Sequence, residues 1–352
     1  MGLSLAIVGL PNVGKSSLFN LLTKTKAEAS NYPFCTIDPN VGIVEVPDRR
    51  LEALTEVSKS KKTIATAIEF VDIAGLVKGA HKGEGLGNQF LANIRECDAI
   101  CEVIRDFQDE NIIHVAGKVN PQEDKETINL ELIFADLNSV TKRMNKAQKE
   151  TKAGDKEKIT FYQLLEKLKK NLEDGVAIRD IELNEKEKEM TRQLNLLTIK
   201  PILYIVNTDN PEKYLSNEEE NVLAINVKIE QEIVDLPPQE QEEFLKELNM
   251  GSSGLDKLIK SSYTLLNLET FLTTGPEETR AWTIKKGASA PEAASAIHTD
   301  FQKNFIRVEI INWKTLVDVG SEKIAKEKGL IRTEGKDYII KDGDVCHFLI
   351  NK

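Results

Sequence analysis

Eight consecutive residues, Gly9-Leu10-Pro11-Asn12-Val13-Gly14-Lys15-Ser16, satisfy the pattern G-x-x-x-x-G-K-[ST]. Glycines in such a loop let successive backbone N–H groups close around phosphate oxygens. The lysine ammonium reaches the β- and γ-phosphates, and the serine hydroxyl is a ligand for Mg²⁺. Before the loop runs the apolar stretch Leu3 to Val8, which reads as a strand; after it, Ser17-Leu18-Phe19-Asn20-Leu21-Leu22 reads as a helix. That strand, loop and helix setting is what separates a phosphate-binding loop from a chance Gly-Lys-Ser. Asn12, Val13, Gly14, Lys15, Ser16 and Ser17 are therefore the expected phosphate ligands.

Other residues fall where a nucleotide would need them. The apolar stretch Ala67 to Ile73 carries Asp72-Ile73-Ala74-Gly75 at its end, a D-x-x-G placed so that Asp72 holds Mg²⁺ through water and the Gly75 N–H senses the γ-phosphate. Thr36 sits in a proline- and asparagine-broken loop between the first helix and the strand Val41 to Val46, the position from which a threonine reaches Mg²⁺. Leu76 follows Gly75 where small GTPases use a water-orienting glutamine, so intrinsic turnover should be slow. His114 lies in the loop after the strand Ala99 to Arg105 and has two readings, a water-ordering residue or a packed histidine.

For the base, Asn207-Thr208-Asp209-Asn210 follows the strand Pro201 to Asn207. Guanine readers have N-K-x-D here, and the amide of Asn210 in the fourth position suits adenine. A shifted register, with Asp209 reading guanine, stays open. Asn221 to Lys228 reads as the last strand, bringing a backbone N–H of Val227 or Lys228 to the base.

The elements that must position these residues are read from composition and periodicity. The 352 residues suit two or three domains, and a net charge of −10 excludes a generic polyanion binder, leaving nucleic acid to a local patch. There is no secretory leader pattern and no apolar run of spanning length, so a cytoplasmic location is expected. Four cysteines are too few for a disulfide framework and lack zinc spacing, and are expected as buried thiols. Residues 129–198 are helical and charged, a hairpin (coiled-coil) turning near Lys152 to Lys156. Its turn end is basic, with Lys142, Arg143, Lys146, Lys149, Lys152, Lys156 and Lys158, and either meets RNA or is simply solvated. The tail mixes strands with one main helix over Pro291 to Phe301, as in an α+β β-grasp module. The fold class is thus an α/β P-loop NTPase with a doubly wound, mostly parallel sheet. The expected division is 1–128 with 199–277 for the nucleotide domain, 129–198 for the insertion and 278–352 for the tail.

Asn31 to Gly42, the D-x-x-G followed by Leu76, Ile112 to Pro121, Arg280 to Ile284, Ile297 to Phe301 and Glu334 to Tyr338 together resemble the YchF / Obg-like ATPase family, over nearly the whole chain. The resemblance implies an Obg-related P-loop domain, a C-terminal TGS domain, ATP preferred over GTP, and association with the ribosome or a subunit through RNA and protein. It also implies that a hydrophobic Leu76 is typical and that His114 is the catalytic residue. Related hydrophobic-substituted GTPases suggest Asn12 as a K⁺ ligand. One departure is Asn210, where the family has N-x-x-E.

The expected function is a slow Mg²⁺-dependent ATPase switch on the ribosome, monomeric, with no membrane or DNA contact. A GTPase of the Obg class and a nucleotide-shaped adaptor with little turnover are the alternatives. Lys15, Gly75 and His114 are assigned to catalysis and Ser16, Thr36 and Asp72 to the metal. Asn12 to Ser17 with Asn207, Thr208, Asn210, Val227 and Lys228 are assigned to the nucleotide.

Overall fold

The computed structural model describes residues 3–24, 40–73, 87–115, 117–151, 155–214, 221–248 and 250–351. Thr36, Gly75 and Leu76 lie outside them.

Strand β1 (Ser4–Val8) is apolar from Leu5 onward because it is covered on both faces. Leu5 and Ile7 enter a core with Leu18 and Leu22 of helix α1 (Lys15–Lys24) and Leu255 and Leu258 of the late helix α9 (Gly254–Leu265). Ala6 and Val8 enter a second core on the opposite face, with Phe90 and Ile94 of α3 (Asn88–Glu96) and Ile128 and Leu132 of α4 (Pro121–Glu150). The sheet runs β2 (Val41–Glu45), β4 (Ala67–Asp72), β1, β5 (Ala99–Asp106), β6 (Ile202–Thr208), β7 (Val222–Ile225). Among the described residues, the β2–β4 pair alone is antiparallel in this sheet. The C-terminal ends of β1, β4, β5 and β6 therefore share one edge, where doubly wound folds bind ligands.

The helical hairpin starts earlier in the chain than expected. Helix α4 begins at Pro121 rather than Asn129, because the Asn120 side chain accepts from the Glu123 N–H and Pro121 suits a first turn. Helix α5 (Lys156–Glu173) packs Leu164, Leu165 and Leu168 on Val140 and Ala147 of α4. Asp136 of α4 is buried and accepts from the Leu197 and Thr198 N–H groups and the Thr198 hydroxyl, at 2.7–3.0 Å, pinning the returning chain before β6.

A second sheet runs β11 (Arg332–Glu334), β10 (Phe305–Asn312), β12 (Asp344–Ile350), β8 (Leu268–Thr274), β9 (Glu278–Lys285), β3 (Lys62–Ile64). Helix α10 (Ala290–Ile297) covers it with Ala293 and Ala294 against Phe271, Val308 and Ile310. The β8–β9 hairpin crosses the 277/278 division drawn from the sequence, so the C-terminal sheet begins at Leu268. Its outer strand, β3, comes from the first part of the chain, and helix α2 (Arg49–Ser58) seats Leu51 and Leu54 on Leu272, Ile311 and Leu316.

The expected helix from Pro291 to Phe301 breaks at His298. That residue is extended, and its Nδ1 accepts from the Asp300 N–H to start a new turn. Cys97, Cys101 and Cys346 are buried free thiols.

Candidate functional site

The phosphate-binding loop leaves β1 at Gly9, whose φ is +144°; a Cβ there would lie 2.4 Å from the Val103 carbonyl oxygen. Gly14 has φ +103°, and its Cβ would meet Asn207 Nδ2 at 2.6 Å. Both positions therefore demand glycine on conformation and on space. The loop walls one end of a cavity of about 550 Å³ with Pro11, Asn12, Gly14, Lys15, Ser16 and Ser17. Lys15 is buried and donates to the Leu10 carbonyl at 2.6 Å. Burial pulls its ammonium down to about 8, opposed by the charge of Asp72, which is buried at the end of β4.

The other end of the cavity is lined by Phe107, Ile112, Asn207, Asp209, Asn226, Val227 and Lys228. Asn207 bridges the two ends, since its amide donates to the Val13 carbonyl at 3.1 Å and accepts from the Val227 N–H at 3.3 Å. Three expectations change here. Strand β7 stops at Ile225, because Asn226 caps helix α7 (Val227–Asp235) by accepting from the Lys228 and Ile229 N–H groups. The N–H groups of Val227 and Lys228 are thus already engaged, although both residues face the cavity. Thr208 is buried with its hydroxyl on Asp106 at 3.3 Å, and neither it nor Asn210 lines the cavity, whereas Asp209 does.

Two residues that the sequence reading passed over hold this end together. Arg105 is fully buried at the end of β5 and donates to the carbonyls of Phe107 (3.1 Å), Ile112 (3.0 Å) and Asp109 (3.5 Å), with its guanidinium 4.4 Å from the Phe107 ring centre. Asp106 accepts from Tyr214 Oη at 2.8 Å and Lys213 Nζ at 3.0 Å, besides Thr208. The available signal was the presence of three charged residues in a strand otherwise apolar and buried.

The third, Glu102, is buried on the same strand. Neither of its oxygens finds a hydrogen-bond partner among the described residues. Burial pushes its carboxyl up to about 8, with Arg179 and Lys125 opposing and Asp124 reinforcing. His114 is also inside the protein. Its Nε2 lies 3.0 Å from Asp124 Oδ2, and it does not line the nucleotide cavity.

Residues 4–135 match the family model described as 50S ribosome-binding GTPase, and residues 268–351 match YchF-GTPase_C, described as a protein of unknown function. The ribosome-binding ATPase YchF of Bacillus subtilis is 52% identical over 365 residues, with all of both chains covered. The chain belongs to the YchF family. The ribosome-binding ATPase YchF of Escherichia coli O157:H7 is 49% identical, again with both chains covered in full. Among solved structures, the Schizosaccharomyces pombe YchF GTPase matches with a TM-score of 0.88 at 37% identity, covering 99% of this chain and 98% of that one. YchF membership and the P-loop α/β fold both agree with the sequence reading. The relatives' own names divide between ATPase and GTPase.

Proposed function

We propose that the protein is a Mg²⁺-dependent nucleotide hydrolase of slow intrinsic turnover that prefers ATP and serves as a nucleotide-dependent switch on the ribosome. The observation that carries the hydrolase reading is the P-loop with its buried Lys15, facing Asp72 across the edge of the sheet. The YchF relatives named ribosome-binding ATPases support ATP and the ribosome. Exposed Lys142, Lys146, Lys149, Lys156 and Lys158 at the far end of the hairpin suit the phosphates of ribosomal RNA. We place the protein in the cytoplasm as a monomer; no helix among the described residues is long and apolar enough to cross a membrane. For the division of the chain, we keep the nucleotide unit and its insertion and begin the C-terminal TGS unit at Leu268.

The Ser16 hydroxyl, exposed at the cavity, and the Asp72 carboxylate are hard oxygen donors that fit Mg²⁺. With Thr36 they would hold the ion, which supplies charge neutralisation at the phosphate oxygens. An Asn12 amide oxygen would suit K⁺. Lys15 and the loop N–H groups bind the phosphates, the Gly75 N–H senses the γ-phosphate, and His114 orients the attacking water. One observation favours a GTPase instead. Asp209 faces the cavity, and a carboxylate accepts from the N1–H and amine of guanine.

Steady-state hydrolysis of Mg²⁺-ATP and Mg²⁺-GTP tests the assignment. Slow turnover with the higher kcat/KM for ATP is expected. His114→Ala should lower kcat by roughly 10- to 100-fold at unchanged nucleotide affinity; an unchanged kcat would remove His114 from the chemistry.

A further inference from the structure

The histidine assigned to hydrolysis is held away from the nucleotide cavity. His114 is 6% exposed, and its ring is turned to Asp124, also buried. Asp124 sits in the first turn of α4, where its N–H donates to the Asn120 carbonyl at 3.0 Å and the helix terminus favours a carboxylate. It is a fixed anchor rather than a residue that follows the loop. We propose that Asp124 is a positioning residue that keeps His114 in a resting place, so that hydrolysis waits on transfer of the ring from Asp124 to the cavity. This rests on the hydrolytic role given to His114 above.

The residues on either side point to a second arrangement. Ile113 is 79% exposed and Val115 63% exposed, while the polar ring between them is inside. Leaving two β-branched apolar side chains in water is unfavourable. Turning the segment so that His114 emerges lets Ile113 and Val115 go inward, which offsets the loss of the contact with Asp124. The segment also begins next to the nucleotide. Ile112 lines the cavity with its carbonyl clamped by Arg105, and the next carbonyl, that of Ile113, accepts from the Asn12 side chain of the P-loop at 3.1 Å. A ligand that draws Asn12 toward itself withdraws that hydrogen bond one residue from His114. The cavity and the histidine are thereby linked through a short segment with two arrangements, whose balance ligand and anchor both bias.

The test is ATP hydrolysis by the full chain as wild type, Asp124→Ala, Asp124→Asn, His114→Ala and the double variant Asp124→Ala/His114→Ala, with nucleotide affinity measured for each. Asp124→Ala is expected to raise kcat about threefold or more at unchanged KM, because a larger fraction of molecules has the ring released. The nearly isosteric Asp124→Asn, which keeps the start of α4 intact, should give a smaller gain in the same direction. In the double variant the gain should vanish and kcat fall to that of His114→Ala. If His114→Ala lowers kcat while neither Asp124 variant raises it, the resting place is refuted and the role of His114 stands. A gain that survives in the double variant also refutes it, since Asp124 then acts by another route. If His114→Ala alone leaves kcat unchanged, the hydrolytic role itself fails, and the proposal with it.

Discussion

The two ends of the nucleotide cavity are built by different means. At the P-loop end the wall comes from one short loop, whose course follows from two glycines with no room for a Cβ. At the opposite end the wall is assembled from residues on four separate stretches: the loop after β5, the end of β6, the loop after β6, and the start of α7. Arg105, Asp106, Asn207 and Asn226 tie those elements together, largely by hydrogen bonds to backbone. A backbone cradle is fixed by a local sequence, whereas a wall of this second kind depends on residues far apart in the chain.

The largest effect should come from Arg105, because three carbonyls lose their donor at once while the loop of Phe107 and Ile112 loses its clamp. Arg105→Met is expected to weaken nucleotide binding by roughly tenfold or more and to lower stability by about 2 kcal/mol. Fluorescent-nucleotide titration and chemical denaturation would read both. Binding that survives intact would mean that the base end needs no such clamp.

A smaller effect, of opposite sign, is expected at Glu102, the other buried charge of β5, which meets no ligand-binding group. Its carboxyl titrates near 8 in the folded protein against an ordinary value of 4.5. The unfolded chain therefore sheds this proton first, and the contribution of Glu102 to stability declines as pH rises from about 4.5 to about 8, then stays level. Glu102→Gln removes the decline, so the variant should be more stable at pH 8 by roughly 1 kcal/mol, with the gain shrinking toward pH 4.5. Denaturation at the two pH values would show it. A variant less stable than wild type at pH 8 would mean that the carboxylate is charged and paired there.

These differences explain what the sequence discloses. The P-loop, the strands of the first sheet and the helical hairpin are local patterns, made plain by apolar runs covered on both faces and by helix periodicity. Strand β3 is three residues long, two of them exposed and polar, and gains its strand character only by pairing with β9 some two hundred residues later. Asn226 reads as part of a strand until its side chain is seen to cap α7. The resemblance could single out His114, but only tertiary packing shows that its ring turns to Asp124 and not to the cavity. After β6 it is Asp209 and not Asn210 that lines the cavity, which depends on how the chain turns there as the Thr208 hydroxyl goes inward to Asp106.

That turn makes base preference the most direct measurement. Competition of Mg²⁺-ATP against Mg²⁺-GTP would be run on the wild type, Asp209→Asn and Asn210→Asp. Tighter binding of ATP is expected, with the preference widened by Asp209→Asn, which removes the acceptor suited to guanine, and left nearly unchanged by Asn210→Asp, whose side chain is off the cavity wall. Tighter binding of GTP by the wild type would contradict the ATPase account. A preference that moves with Asn210 but not with Asp209 would contradict this description of the base end.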